Sequence, residues 1–123
     1  AYFESLRNSL GINISDQQFK DGWNAILKDE LSGIYDVLKK AKQRFPLFAF
    51  SNSNHTHQEI WAVKYAKTLS LFTHIFNSSK IGKRKPDAAS FLFVANEMGF
   101  EPHEILFFDD SLENIIGAQN IGM

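Results

Sequence analysis

Hydrophobic residues follow two kinds of spacing along the chain, one typical of helices and one of buried strands. Residues 1–10 and 15–30 have apolar positions three or four apart, which predicts two opening helices. A third helix is predicted from Ser32, and its basic last turn before Pro46 favours an end there. We expect the aromatic residues of these helices, Trp23 among them, to lie in the core.

Three short apolar runs, bounded by polar residues, have the pattern of strands covered on both faces. The runs are residues 47–50, a segment near 73–76, and residues 105–108. Helices are predicted between them at 58–69 and 87–98, and a last helix is predicted after the third run. Strands that alternate with helices form parallel sheets, so the pattern predicts an α/β doubly wound, Rossmann-like domain.

Composition and charge narrow the range of partners. The chain has 123 residues, of which 44% are hydrophobic and 12 are Phe, which is ample material for one packed core. A formal net charge of -1 gives no electrostatic reason to expect nucleic acid or a membrane surface as the partner. A small-molecule partner is therefore favoured. The absence of cysteine excludes disulfides and thiolate metal sites.

The sequence carries no recognisable targeting segment. No apolar run approaches the roughly 20 residues needed to span a bilayer, and no basic leader precedes an apolar stretch. We therefore expect a cytoplasmic protein. Because the first residue is Ala1 rather than Met, we also expect the sequence to be part of a longer gene product. The oligomeric state is not indicated.

Polar residues that could carry chemistry follow the predicted strands. Ser51 and Asn52 come directly after the first strand, and Asp109 and Asp110 come directly after the third. Lys85 lies in the loop between them. Ligands of open α/β sheets bind outside the carboxyl ends of the strands, so these side chains are expected to meet there.

Each of these residues also has an ordinary structural explanation. Adjacent carboxylates at a strand end suit Mg²⁺, although Asp is also common at helix starts. Ser51 precedes a helix start that could hold phosphate, although serine is also a common turn residue. Lys85 would neutralise a phosphate and an aspartate if it points inward, and otherwise belongs to a solvated basic run. His55 and His57 lack a third metal ligand, so they are interpreted as polar helix-start residues.

The ordered segments LFAFSNSN, IGKRKPD and ILFFDDSLENIIGAQNIGM resemble the second, third and fourth motifs of the haloacid dehalogenase-like (HAD) hydrolase superfamily. Their combination is similar to bacterial sugar-phosphate phosphatases and to the phosphatase domain of soluble epoxide hydrolases. The resemblance implies an incomplete α/β core at residues 31–123. Residues 1–30 resemble part of the helical cap of that superfamily.

The resemblance implies a role for each matching residue in hydrolysis of a small phosphorylated substrate. Ser51 would hydrogen-bond the phosphoryl group, and Asn52 would assist from the same turn. Lys85 would bind phosphate and steady the acidic residues. Asp110 would bind the cofactor Mg²⁺, and Asp109 would bind the metal or pair with Lys85. Asn114 would support this loop.

The nucleophile of the superfamily is an aspartate in a D-x-D motif on the first strand, and this sequence contains no D-x-D. In the topology of the superfamily that strand lies between the strands that end at Ser51 and at Asp109. We therefore expect the chain alone to be inactive. Two alternatives remain open at this stage, a haloacid dehalogenase and a non-catalytic binding domain on the same scaffold.

Overall fold

The computed structural model describes residues 2–123, in which helices and short strands alternate. Two helices open the chain, α1 (Tyr2–Leu10) and α2 (Asp16–Asn24). Ala1, part of the first predicted helix, lies outside the described residues. The remaining elements, in chain order, are α3 (Ile34–Lys42), β1 (Phe48–Ser51), α4 (His55–Lys64), α5 (Ala66–Leu69), β2 (His74–Asn77), α6 (Ser78–Ile81), α7 (Ala88–Met98), a 3₁₀ turn (Pro102–Glu104) and α8 (Leu112–Gln119).

The second helix begins at a capping box and ends earlier than predicted. The Ser15 hydroxyl accepts a hydrogen bond from the Gln18 backbone N–H at 3.1 Å, and the Gln18 side chain accepts one from the Ser15 N–H at 2.8 Å. The prediction that this helix continues to residue 30 is wrong. The carbonyls of Leu27 and Lys28 instead accept hydrogen bonds from the side chains of Lys64 and Tyr65, which hold this segment against α4 and α5.

Strands β1 and β2 form the expected parallel pair. Phe48 lies opposite His74 and Ser51 lies opposite Asn77, so both strands deliver polar residues to the same carboxyl edge. Phe76 is buried, and its ring lies 6.5 Å from that of Phe48. The predicted parallel arrangement of these two strands is confirmed.

The third predicted strand, residues 105–108, is not a strand within residues 2–123. The segment alternates like one, since Ile105 and Phe107 are half-buried while Leu106 and Phe108 are 79% and 81% exposed. A strand is defined by hydrogen bonds to a neighbouring backbone, and the described residues provide no such neighbour for this segment. The alternating burial typical of a strand is therefore present in this segment without the backbone hydrogen bonds that pair strands.

The helix predicted at 58–69 begins earlier and is divided. Asn54 caps α4 by accepting a hydrogen bond from the His57 backbone N–H at 2.9 Å, so the helix starts at His55. The break at Tyr65 separates α4 from α5. No helix within residues 2–123 combines the length and the apolar character needed to cross a membrane.

The most deeply buried part of the molecule lies where α7 meets β1 and α8. The Phe91 side chain of α7 is 1% exposed, and its ring meets Phe50 of β1 and Phe107 edge-on at 6.0 and 5.2 Å. Ala118 of α8 is 2% exposed in the same region. This aromatic cluster fixes β1 relative to the segment that precedes Asp109.

Candidate active site

A buried ion pair joins two of the residues singled out from the sequence. Lys85 Nζ lies 2.5 Å from Asp109 Oδ2, and the two side chains are only 9% and 7% exposed. The ammonium also lies 5.3 Å from the centroid of the Phe50 ring and 5.5 Å from that of Phe107. Lys85 therefore points inward, and it is not part of a solvated basic surface.

Two further donors hold the Asp109 carboxylate. Its Oδ1 accepts hydrogen bonds from the Ser111 backbone N–H and from Asn114 Nδ2, each at 2.9 Å. Burial alone would raise the pKa of this carboxyl, but the hydrogen bonds from Lys85, Asn114 and Ser111, with the charge of Lys85, hold the pKa below its ordinary value. Asp109 is therefore ionised at neutral pH and fixed in orientation.

Asn52 fixes the backbone of Lys85. Its Nδ2 donates to the Lys85 carbonyl at 2.8 Å, and its Oδ1 accepts from the Lys85 N–H at 3.0 Å. Both polar groups of the side chain are thus engaged with the loop, which the sequence alone gave no means of predicting. The Asn52 side chain therefore supports the loop that carries Lys85.

Ser51 and Asp110, two further residues predicted for the site, differ in exposure. Ser51 is the last residue of β1 and is half-buried, whereas Asp110 is exposed, because side chains alternate along the extended segment that ends there. Asp110 therefore presents a carboxylate to solvent beside the buried Asp109. No group of three or more His, Asp or Glu side chains in residues 2–123 could hold a metal ion by itself.

The loop that carries Lys85 packs directly against α8. The Lys85–Pro86 peptide bond is cis, and Gly117 of α8 lies so close that an added methyl group would overlap the Pro86 carbonyl oxygen. The same methyl would lie 3.0 Å from the Phe91 ring. Glycine at position 117 thus lets α8 and the Lys85 loop approach each other.

Two other expectations have different outcomes. His55 and His57 lie in the first turn of α4, as interpreted, and His57 Nε2 lies 3.1 Å from the Trp23 carbonyl oxygen. The expectation that Trp23 lies in the core is wrong, because 41% of this residue is exposed. Helical spacing identifies an apolar face of a helix but does not show what covers that face.

The sequence matches the haloacid dehalogenase-like hydrolase family over residues 9–122. The chain therefore belongs to this family, and the predicted family and α/β fold class are confirmed. A HAD family enzyme of Bacteroides thetaiotaomicron, crystallised with magnesium and inorganic phosphate, superimposes with a TM-score of 0.84 at 27% identity. The match covers 99% of this chain and 65% of that one.

Two curated relatives are named as a phosphatase and as a flavin mononucleotide hydrolase. The chain is 30% identical to the enolase-phosphatase E1 of Aquifex aeolicus over 92 residues, which are 72% of this chain and 40% of that protein. It is 34% identical to flavin mononucleotide hydrolase 1 of Arabidopsis thaliana over 97 residues, 76% of this chain and 38% of that protein. The chain thus spans less than two thirds of the length of each of these relatives.

Proposed function

We propose that the protein containing this sequence is a magnesium-dependent phosphatase of small phosphorylated metabolites. The observation that carries the proposal is the buried Lys85–Asp109 pair beside the carboxyl end of β1, with the exposed Asp110 carboxylate next to it. A lysine held at a fixed point by a buried carboxylate is well suited to bind a phosphoryl oxygen. The names of the curated relatives also support phosphate ester hydrolysis.

In this proposal the residues of the chain bind and orient the phosphoryl group. The Ser51 hydroxyl and the backbone N–H of Asn52 donate hydrogen bonds to phosphoryl oxygens. An ammonium has three N–H donors, so Lys85 contacts the phosphate with one while another stays on Asp109. Because the Lys85 side chain is only 9% exposed and lies near the Phe50 and Phe107 rings, little water competes for these donors.

The Asp109–Asp110 pair fits a magnesium ion that takes its other ligands from elsewhere. Mg²⁺ is usually held by one or two carboxylates together with waters and substrate phosphate. Asp110 would bind it directly, with Asp109 at its side, and Asn114 would hold the loop. When bound, Mg²⁺ offsets the negative charge of the phosphoryl oxygens.

The attacking carboxylate is proposed to come from outside this sequence, which has no D-x-D motif. Its oxygen would form a bond to phosphorus as the bond to the leaving oxygen breaks, which gives an aspartyl-phosphate. Water would then attack phosphorus, release phosphate and restore the carboxylate. We therefore expect the isolated 123-residue chain to give no turnover, and robust magnesium-dependent turnover by it would contradict this assignment.

The proposal is tested by the hydrolysis of p-nitrophenyl phosphate by the full-length gene product, with Mg²⁺ and with EDTA. We expect activity only with Mg²⁺, and a loss of more than about tenfold in Asp110→Asn. Asp36→Asn, the same change at an exposed site in α3, is the control and should retain activity. A folded but inactive full-length protein would count against a phosphatase, and halide release from 2-chloro acids without Mg²⁺ would identify a dehalogenase.

A further inference from the structure

An open cleft of about 460 Å³ adjoins the proposed phosphate site. One wall comes from α2, and the other comes from the turns that follow β1 and β2. The cleft reaches the proposed site at Asn52, and it includes Arg84, which directly precedes Lys85. A substrate whose phosphate lies at Lys85 would therefore place the rest of the molecule in this cleft. The volume lies in the range of small-molecule sites.

The charged side chains that line the cleft are basic. Lys83 and Arg84 are among the lining residues, and the lining contains neither Asp nor Glu. Within the part of the chain that the structure describes, neither cation forms an ion pair. Lys85, by contrast, is already paired with Asp109. The cleft therefore carries positive charge that residues 2–123 leave uncompensated.

An indole covers one side of the cleft. Trp23 is 41% exposed, yet its backbone is tethered to α4, because its carbonyl oxygen lies 3.1 Å from His57 Nε2. The Trp23 and His57 rings lie 5.7 Å apart at a tilt of 46°. An aromatic side chain that is held in place but still exposed offers an apolar surface to the carbon skeleton of a ligand.

We propose that this cleft binds the leaving group of the substrate and selects leaving groups that carry an anionic group of their own. This inference rests on the proposed phosphatase function. Arg84, with Lys83 beside it, contacts the second anion, and Trp23 covers the carbon atoms between that anion and the reacting phosphate. A carboxylate and a second phosphate share this chemistry, and the assay distinguishes them.

The test compares three substrates that differ only in the leaving group: 2-hydroxyethyl phosphate, 2-phosphoglycolate and ethane-1,2-diyl bisphosphate. With the full-length gene product, we expect kcat/KM to be about tenfold or more higher for one or both anionic substrates than for the neutral one. Which of the two is preferred shows whether the second anion is a carboxylate or a phosphate. In Arg84→Gln this preference should fall by about tenfold, mainly through KM, and Arg84→Lys should restore part of it.

Arg44→Gln, the same change at an exposed arginine remote from the cleft lining, is the matched control and should keep the preference. Equal kcat/KM for the neutral and anionic substrates would overturn the inference while leaving the phosphatase function intact. A preference for anionic substrates that survives a combined Lys83→Gln and Arg84→Gln change would overturn the inference in the same way.

Binding measured by calorimetry separates the two proposals if no ester is hydrolysed. In that case, 2-phosphoglycolate should bind more tightly than 2-hydroxyethyl phosphate, and Arg84→Gln should abolish this difference. This result would support the anion-selective cleft although the phosphatase proposal had failed. The absence of selective binding would overturn the cleft proposal as well.

Discussion

Replacing Lys85 by Met tests the energetics of the buried ion pair. The change keeps a side chain of similar length and removes the ammonium, so the Asp109 carboxylate stays buried without its cation. Breaking a buried pair in this way lowers the free energy of unfolding by about 3–5 kcal/mol. Asp109 keeps the donors from Ser111 and Asn114, so we expect the lower end, about 3 kcal/mol.

The pH dependence of this loss follows from the pKa of Asp109. In the wild-type protein the pKa is lowered, so the contribution of this carboxyl to stability is present above its ordinary titration range and is lost as the pH falls through its folded pKa. Without Lys85, burial is opposed only by the hydrogen bonds from Asn114 and Ser111, so we expect the pKa to rise above its wild-type value. Protonation then removes the buried charge, so the deficit of Lys85→Met should shrink as the pH falls from about 7 to about 5.

The measurement is urea-induced unfolding of the full-length protein in EDTA at both pH values. Lys83→Met is the matched control, since Lys83 is exposed and should change the free energy of unfolding by no more than about 0.5 kcal/mol. Equal stability of the two variants at neutral pH would refute the argument. A deficit that does not change with pH would refute the assigned role of Asp109.

Two further substitutions test the surroundings of the ion pair. Gly117→Ala should lower the free energy of unfolding by about 1–3 kcal/mol, because the methyl overlaps the Pro86 carbonyl, whereas Gly22→Ala, in open space, should raise it by up to about 1 kcal/mol. Equal thermal stability of these two variants would contradict the close approach. Asn52→Ala removes both hydrogen bonds to the Lys85 backbone and should cost about 1–3 kcal/mol and reduce kcat/KM for p-nitrophenyl phosphate. Unchanged unfolding and kinetics would show that Lys85 needs no such support.

The sequence predicted those parts of the fold that depend on local pattern. The apolar runs that became β1 and β2 are short, continuous and bounded by polar residues, so their assignment needed no tertiary information. Residues 105–108 have the same pattern and are not a strand, because pairing also requires a neighbouring backbone. The prediction that Trp23 lies in the core was wrong for a similar reason, because the exposure of its side chain depends on which residues pack against its helix.

The candidate site likewise has features that the sequence predicted and features that the sequence could not show. Position at strand ends drew attention to Ser51, Asp109 and Asp110, but it could not show that Asp109 is buried while Asp110 is exposed. The contact between Lys85 and Asp109 joins residues 24 apart in sequence. The hydrogen bonds between Asn52 and Lys85 join residues 33 apart, and an Asn in a polar turn gives no indication of such a distant partner.

The exposed Leu106 and Phe108 side chains have a consequence for handling the 123-residue chain. Both are apolar and lie on an extended segment whose backbone groups are not paired in a sheet within residues 2–123. An extended segment with unpaired backbone N–H and C=O groups is a template for pairing with another chain. We therefore expect the chain to become turbid at high protein concentration well before it melts, so that its shelf life is set by self-association and not by unfolding.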